Sequence, residues 1–282
     1  MSTTLFTTLI GAQDLAACQG DVVIVDCRHD LMLLTAGRAA YDAGHIAGAV
    51  FADMEHELAG PKRDAAGVFR GRHPLPDQAA FIDLLRRWGV NHTTQVVAYD
   101  AHGGMYAARL WWMLRWVGHA AVAVLDGGLQ AWTGALTTAA PPARPLGTIG
   151  VRPALVDTVD AAMLLANLDT LALTVVDARA PDRFRGENET VDPVGGHIPG
   201  AVNRFFKDNL TADGRFKTPE ALRVEWAVAG DPARVVMQCG SGVTACHNLL
   251  ALEVAGLPGA KLYPGSWSEW SADPQRPTGT GA

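Results

Sequence analysis

The chain has 282 residues, of which 49% are hydrophobic and 18% are charged, and its formal net charge is −6. That length accommodates two domains of ordinary size, and the composition is typical of a folded globular protein. The negative charge argues against nucleic-acid binding, which depends on a basic surface. No apolar run approaches the roughly 20 residues that a membrane-spanning helix needs, so we expect no membrane association.

The amino-terminal segment does not match an export signal. Residues 15–18, Leu-Ala-Ala-Cys, resemble a lipoprotein cleavage site, but no Lys or Arg precedes them and Asp14 interrupts the apolar stretch. Export signals carry a positive start and an unbroken apolar core. The four cysteines are too few for a disulfide framework, which fits a reducing compartment. We therefore predict a cytoplasmic protein.

In chain order, the first predicted strand lies within 22–28, and the turn Gly-His-Ile-Ala-Gly-Ala follows it at 44–49. Residues 79–88 have apolar side chains at helical spacing and end at Gly89, which predicts a helix with a glycine C-cap. A further apolar run at 95–100 predicts another strand. The strands are nearly all apolar, as expected for a parallel sheet that is covered on both faces.

The second half of the chain repeats this order. A predicted strand within 173–179 is followed by Gly-His-Ile-Pro-Gly-Ala at 196–201, and an apolar run at 235–237 predicts a buried strand. Both halves also close alike, with a glycine-containing turn ahead of Trp132 in the first and Trp270 in the second. Such self-similarity is the signature of a duplicated domain.

A proline-rich segment separates the two copies. Residues 137–145 contain three prolines and no hydrophobic periodicity, which is typical of an extended linker. We predict two α/β domains, at 5–136 and 154–276, joined by a linker at 137–153.

The most informative stretch is 239–245, Cys-Gly-Ser-Gly-Val-Thr-Ala, between the last predicted strand and a predicted helix at 246–253. Backbone N–H groups converge at such a junction and the helix dipole is positive there, so a thiolate is favoured over a thiol. The glycines let the backbone curl around the sulfur. We predict a cradle for a sulfur nucleophile at Cys239. Its counterpart in the first half is Asp100, which predicts a catalytically silent first domain.

Three other roles for Cys239 can be weighed against the sequence: a phosphatase nucleophile, a metal ligand and a buried hydrophobic residue. Protein tyrosine phosphatases have a similar loop but bind phosphate through an arginine six residues after the cysteine, where this chain has Ala245. No Cys-x-x-Cys pair or close Cys/His cluster exists, so we predict no metal site. The remaining alternative for Cys239 is a small buried hydrophobe, which is our interpretation of Cys246.

The charged candidates divide into repeated and unrepeated residues. His45 and His197 occupy equivalent turns, and a repeated histidine most simply ties down the backbone, although His45 could also face the site. Arg179 repeats Arg28 beside an aspartate, which predicts a structural ion pair. Arg183 has no counterpart and lies just beyond a strand, so it is our candidate for binding an anionic substrate.

Taken together, these motifs resemble those of the two-domain rhodanese-type sulfurtransferases over essentially the whole chain. The Asp-x-Arg and Gly-His-Ile-x-Gly-Ala motifs occur in both halves, and Gly-Ser-Trp-Ser-Glu-Trp follows at 265–270. The loop at 239–245 is similar to that of 3-mercaptopyruvate sulfurtransferases. Thiosulfate-preferring members typically carry basic residues at the two positions after the cysteine, which here are Gly240 and Ser241.

The resemblance implies tandem rhodanese-like domains, each a mainly parallel sheet flanked by helices. It also implies transfer of sulfur from 3-mercaptopyruvate or thiosulfate, through a persulfide on Cys239, to a thiol, cyanide or thioredoxin-like acceptor. No metal or organic cofactor is expected. The alternative is a non-catalytic redox or sulfur-carrier module that relays sulfur between protein partners.

The resemblance further implies roles for individual residues. Arg183 would bind the anionic end of the donor, and Ser241 and His45 match two members of a proposed serine–histidine–aspartate proton relay. Two positions depart from the pattern. Asp192 stands where mercaptopyruvate enzymes usually carry a second substrate arginine, and the relay aspartate has no clear counterpart at 34–38. The loop residues expected to line the substrate site are Gly240, Gly242, Val243 and Thr244.

Overall fold

The structure is a computed structural model that describes residues 5–281. The described residues form two compact units. Unit 1 comprises those within Met1–Gly60, Pro76–Leu155 and Ala212–Phe216, and unit 2 comprises those within Pro61–Leu75, Val156–Thr211 and Lys217–Ala282. The segment Pro61–Leu75 therefore belongs to unit 2, although the sequence repeat places it in the first half of the chain.

Unit 1 is built on a parallel sheet with helices packed against it. Its strands are β1 (Leu9–Ile10), β2 (Val22–Asp26), β3 (His45–Ile46), β4 (Val50–Phe51), β5 (Gln95–Tyr99), β6 (Val122–Leu125) and β7 (Leu136–Thr137). Five of them pair in parallel in the order β1-β6-β5-β2-β4, while β3 and β7 form a separate antiparallel pair. Its helices are α1 (Ala12–Ala17), α2 (Ala36–Ala43), α3 (Gln78–Arg87), α4 (Ala107–Trp116) and α5 (Gly128–Ala131).

Unit 2 repeats this design. Its strands are β8 (Thr174–Asp177), β9 (Val202–Asn203), β10 (Val235–Gln238) and β11 (Lys261–Leu262), paired in parallel in the order β11-β10-β8-β9. Its α-helices are α6 (Ala161–Thr170), α7 (Pro181–Arg185), α8 (Pro219–Trp226), α9 (Thr244–Val254) and α10 (Ser266–Trp270). Short 3₁₀ helices span Phe206–Asn209, Ala227–Ala229 and Pro232–Arg234. The prediction of two α/β domains with parallel sheets is confirmed.

Local sequence signals explain where the helices begin and end. The Asp77 carboxylate accepts hydrogen bonds from the backbone N–H groups of Ala79 and Ala80, at 2.8 and 3.1 Å, and so caps α3. After α3 the backbone of Gly89 adopts a φ of +78°, as a helix-ending glycine does. The helix predicted at 79–88 is therefore confirmed to within one residue.

The sheets are buried because their strands are apolar on both faces. Every residue of β5, β6 and β10 is buried. In unit 2 the core around Val236 includes two tryptophans of α10, Trp267 and Trp270. Such burial on both faces is typical of parallel sheets covered by helices, and it leaves the ends of the strands as the places where polar groups collect.

The repeated Asp-x-Arg and Gly-His motifs do the same structural work in both units. Asp26 pairs with Arg28, which donates to Gly44 O at 2.7 Å, and Asp177 pairs with Arg179, which donates to Gly196 O at 2.6 Å. These ion pairs tie each strand end to the turn that carries the histidine. The predicted structural role of Arg179 is confirmed by this geometry. No helix among residues 5–281 is long and apolar enough to cross a membrane.

Candidate active site

Cys239 follows the last residue of β10, at the carboxyl edge of the unit 2 sheet. Gln238 lies opposite Asp177 in register, so the segments that leave β10 and β8 start side by side. The loop from Cys239 leads into α9, and the α7 helix with Arg183 follows β8. Cys239 is 2% exposed. The topology thus brings the predicted nucleophile and the predicted anion-binding arginine to one edge of one sheet.

Helix α10 fixes the start of the Cys239 loop through hydrogen bonds to its backbone. Cys239 N donates to Ser266 Oγ at 3.1 Å, and Ser266 Oγ donates in turn to Tyr263 O at 2.9 Å. The carbonyls of Cys239 and Gly240 accept hydrogen bonds from Trp267 N and Ser268 N. Ser266 has a φ of +52°, a left-handed conformation that is uncommon for a residue other than glycine. The hydrogen bonds of Ser266 Oγ with Cys239 N and Tyr263 O hold this conformation in place.

Gly242 is required by the shape of the loop. Its φ is +77°, and a Cβ at this position would lie 2.3 Å from Pro264 O. A side chain would therefore clash with backbone as well as strain the turn. Val243 is buried next to it, and Thr244 is the first residue of α9, whose preceding residue makes no side-chain capping bond.

Ser241 pairs with a histidine that sequence analysis did not select. Ser241 Oγ and His73 Nδ1 lie 2.7 Å apart, and both residues are buried. His73 belongs to the segment Pro61–Leu75 of unit 2. In the same segment Gly71, at a φ of +104°, allows the chain to pass close to Gly265 O, which a Cβ would meet at 2.8 Å.

His45 is committed to its own unit instead. Its Nδ1 lies 2.8 Å from Tyr41 O, its Nε2 lies 3.1 Å from Ala139 O, and its ring stacks on Tyr41 at 3.9 Å. His197 repeats this arrangement with Phe184. The contacts match the backbone-tying role that we expected of a repeated histidine. The expected pairing of His45 with Ser241 is thus replaced by a pairing of His73 with Ser241.

Arg183 is surrounded by carboxylates. Its Nε and Nη2 donate to Glu189 at distances of 2.8–3.2 Å, and its Nη2 lies 3.4 Å from Asp192 Oδ2. Glu189 also accepts from the backbone N–H groups of Val191 and Asp192, which fixes this turn. The pKa of Glu189 is lowered, since the hydrogen bond from Arg183 and those from the backbone outweigh the effect of its burial. The side chain of Arg183 is 21% exposed, so it is not fully enclosed.

Arg72 is a second guanidinium at the same loop, and sequence analysis did not select it either. Its Nη1 pairs with Asp192 Oδ1, and its backbone N–H donates to Ser268 Oγ at 3.1 Å. A Cβ built on Gly240 would lie 2.7 Å from Arg72 Nη2 and 3.7 Å from Arg183 Nη2. The residue after Cys239 is therefore flanked by two cations from distant parts of the chain.

Asp192 bridges these two arginines. Its side chain is 3% exposed, and burial raises the pKa of its carboxyl, an effect that the neighbouring Arg72 and Arg183 oppose and Glu189 reinforces. A cavity of about 550 Å³ within unit 2 borders this cluster and is lined by Arg72, Asp192 and Phe69 among others. Asp192 is thus a buried residue at the wall of a cavity.

The equivalent loop in unit 1 carries Asp100 in place of the cysteine. One carboxylate oxygen of Asp100 accepts from His102 N and Gly104 N, and the other accepts from Tyr106 N and Ala107 N, all at 2.7–3.0 Å. Four backbone N–H groups therefore converge on one negative charge. This strand-to-helix loop is an anion nest, as the position of the loop predicts.

A signal for the two missed residues does exist in the sequence. Residues 71–74 are Gly-Arg-His-Pro. An arginine and a histidine stand there between a glycine, which widens the range of backbone conformations, and a proline, which narrows it. Nothing local, however, indicates that this loop joins unit 2. Only packing brings His73 to Ser241 and Arg72 to Gly240.

Comparison with known proteins gives a consistent result. The family model described as Rhodanese-like domain matches residues 12–135 and 160–273. A "Probable 3-mercaptopyruvate sulfurtransferase" of Pseudomonas aeruginosa is 48% identical over 97% of this chain and 98% of its own length. The "Thiosulfate sulfurtransferase" of Bos taurus is 38% identical over 83% and 79%. The structure of a 3-mercaptopyruvate sulfurtransferase from Leishmania major superposes with a TM-score of 0.83 at 30% identity, covering 94% of this chain and 74% of its own.

Proposed function

The chain belongs to the rhodanese family, and from this premise we propose that it is a sulfurtransferase that carries sulfur as a persulfide on Cys239. One observation carries the proposal. In unit 1 the strand-to-helix loop directs four N–H groups onto the charge of Asp100, and unit 2 has Cys239 at that position. A loop of this kind stabilises a thiolate and, after sulfur uptake, a persulfide anion.

The first half of the reaction loads the cysteine. The Cys239 thiolate attacks the thiol sulfur of 3-mercaptopyruvate or the outer sulfur of thiosulfate, and a new S–S bond forms. With 3-mercaptopyruvate the C–S bond breaks and its electron pair leaves on pyruvate as the enolate; with thiosulfate the S–S bond breaks and sulfite leaves. This is nucleophilic catalysis through a covalent intermediate, and it needs no cofactor.

The second half of the reaction removes the transferred sulfur from Cys239. An acceptor nucleophile, such as a small thiol, cyanide or a thioredoxin-like protein thiol, attacks the outer sulfur of the persulfide. The S–S bond breaks and its electron pair returns to Cys239, which regains its thiolate.

We place this activity in a reducing compartment, the cytoplasm, because no disulfide joins the cysteines within the described residues.

Ser241 and His73 supply the proton chemistry in this scheme. When 3-mercaptopyruvate is the donor, the enolate carbon of the leaving group must gain a proton. The hydroxyl of Ser241 and the imidazole of His73 lie 2.7 Å apart, which is a distance suited to proton relay. We therefore assign to His73 the role that the family resemblance had suggested for His45.

The uncharged loop favours 3-mercaptopyruvate over thiosulfate in this proposal. Gly240 and Ser241 bring no cation of their own at the two positions where thiosulfate-preferring members typically carry basic residues. The anionic end of the donor is bound instead by Arg183, which stays partly exposed at 21%. Gly240, Gly242, Val243 and Thr244 shape the backbone around the sulfur.

Mass spectrometry of the intact protein tests the proposal. Incubation with 3-mercaptopyruvate or thiosulfate, followed by removal of excess donor, should add the mass of one sulfur atom. The adduct should disappear in Cys239→Ser and persist in the matched control Cys18→Ser, which changes a half-buried cysteine of unit 1. Absence of an adduct with both donors, or an adduct that survives in Cys239→Ser, would overturn the proposal.

A further inference from the structure

Two arginines converge on the residue that follows Cys239. Arg72 Nη2 and Arg183 Nη2 lie 2.7 and 3.7 Å from where a Cβ of Gly240 would be. Their side chains are 19% and 21% exposed, so neither is sealed in the core. A guanidinium presents a planar fork of N–H donors that suits a carboxylate or another planar anion.

The two arginines are not equally occupied. Glu189 binds Arg183 through both Nε and Nη2. Arg72, in contrast, uses Nη1 on Asp192, while its Nε is buried and has no hydrogen-bond acceptor among residues 5–281. Nε and Nη2 form the edge of a guanidinium that holds a carboxylate through two parallel hydrogen bonds. On Arg72 the Nη2 of this edge lies beside Gly240, and because Nε has no acceptor the edge holds no carboxylate through two bonds within residues 5–281.

Asp192 already places a carboxylate between these cations. Its Oδ1 is bound to Arg72 and its Oδ2 lies 3.4 Å from Arg183. Because the positive charges at the loop are each matched by an acidic side chain, an incoming anion must compete with one of them. Glu189 is held by two backbone N–H groups in addition to its arginines, whereas Asp192 borders the cavity of about 550 Å³. Asp192 is therefore the carboxylate that can be displaced.

We propose that Arg72 is a donor-binding residue, which with Arg183 holds the anionic end of the sulfur donor beside Gly240, and that Asp192 is an internal competitor which the donor displaces. The proposal rests on the function proposed above, because it concerns the donor site of the same reaction. It makes Asp192 a specificity-determining residue. Donors whose anionic group can engage both arginines displace it, and weaker anions do not.

The test is a KM-against-kcat comparison of two variants. Arg72→Gln should raise the KM for 3-mercaptopyruvate about 10-fold or more while kcat changes little, because a charge-assisted bidentate contact is lost. Asp192→Asn should lower the KM by a few-fold, since the competing charge is removed while the side chain keeps its shape. A purely structural Arg72–Asp192 ion pair would instead shift both variants in the same direction.

Arg70→Gln is the matched control. Arg70 lies on the same segment and pairs with Asp64 and Glu269, and its change should leave the KM within about 2-fold of the wild type. If Arg72→Gln does not fold, Arg72→Lys replaces it, because lysine keeps the charge but not the bidentate edge; it should raise the KM as well. A KM that is unchanged in the Arg72 variant, or equally raised in Asp192→Asn, would overturn the inference.

Sulfur uptake by Cys239 of the wild-type protein distinguishes a wrong assignment of Arg72 and Asp192 from a wrong proposed function. If Cys239 of the wild type acquires sulfur at saturating donor and the Arg72 variant keeps the wild-type KM, only the assignment of Arg72 and Asp192 is wrong. If the wild type acquires no sulfur, the function itself is wrong.

Discussion

The pairing of Ser241 with His73 leads to a prediction that depends on the donor. Changing Ser241 to alanine removes a hydroxyl that lies 2.7 Å from His73 Nδ1 in a buried setting. Proton transfer by a positioned side chain contributes about 10²- to 10⁴-fold to a reaction rate. The kcat/KM for 3-mercaptopyruvate should therefore fall by about 10²-fold or more, because its leaving enolate must be protonated. The kcat/KM for thiosulfate should change far less, because sulfite leaves without needing a proton.

The assay measures kcat/KM for both donors on one preparation of each variant, with a small thiol as acceptor. His73→Gln should behave as Ser241→Ala does, and the double variant should be no worse than either single one, because the two residues act as a unit. Ser271→Ala is the matched control. Ser271 is a buried serine of the same unit whose hydroxyl donates to Trp267 O at 2.8 Å, a backbone contact that involves no histidine.

The reasoning is refuted if both donors lose activity equally in Ser241→Ala. That result would mean that the hydrogen bond only holds the loop in shape. Additive losses in the double variant would likewise contradict a relay, since they would show two independent contributions.

Two further predictions concern the stability of unit 1. Asp100→Asn should lower the free energy of unfolding by about 2–4 kcal/mol, because an amide N–H₂ would face N–H donors where a carboxylate oxygen now accepts two hydrogen bonds. Chemical denaturation measures this change. The control is Asp83→Asn at an exposed position, which should cost less than about 0.5 kcal/mol. Burial lowers the pKa of His119, so the unfolded chain takes up a proton that the folded chain resists, and stability should fall as the pH drops below about 6.5. Thermal melts between pH 8 and 5 should show a weaker pH dependence in His119→Gln; an unchanged dependence would contradict the assignment.

Much of the fold could be predicted because its signals are local. The strands β2, β5, β8 and β10 largely coincide with apolar runs that are visible in the sequence, and α3 lies between the N-cap Asp77 and the helix-ending Gly89. The duplication then implied that both halves share one architecture. The position of Cys239 followed from the same local pattern, a buried strand, a glycine-rich loop and a helix.

The surroundings of that cysteine were decided by tertiary structure. Arg183 could be selected from sequence because it lies a few residues after β8, and parallel strands bring their carboxyl ends to one edge. His73 and Arg72 could not, because they belong to an irregular loop whose unit depends on long-range packing. The repeat pointed to a backbone-tying role for His45, and its ring nitrogens do lie against backbone carbonyls; the catalytic role had been implied only by the family resemblance.

By itself, then, the sequence determined a pair of related α/β domains and a strand-to-helix loop that begins with a cysteine only in the second, since hydrophobic periodicity and backbone-restricting residues act over short distances. Which histidine contacts Ser241, and which guanidinium stands beside Asp192 at the loop, was decided only when the segment Pro61–Leu75 packed into unit 2. Those contacts join residues more than a hundred positions apart, and no local pattern encodes such a distance. The chemistry of the nucleophile is local, while the groups that surround it come from the fold.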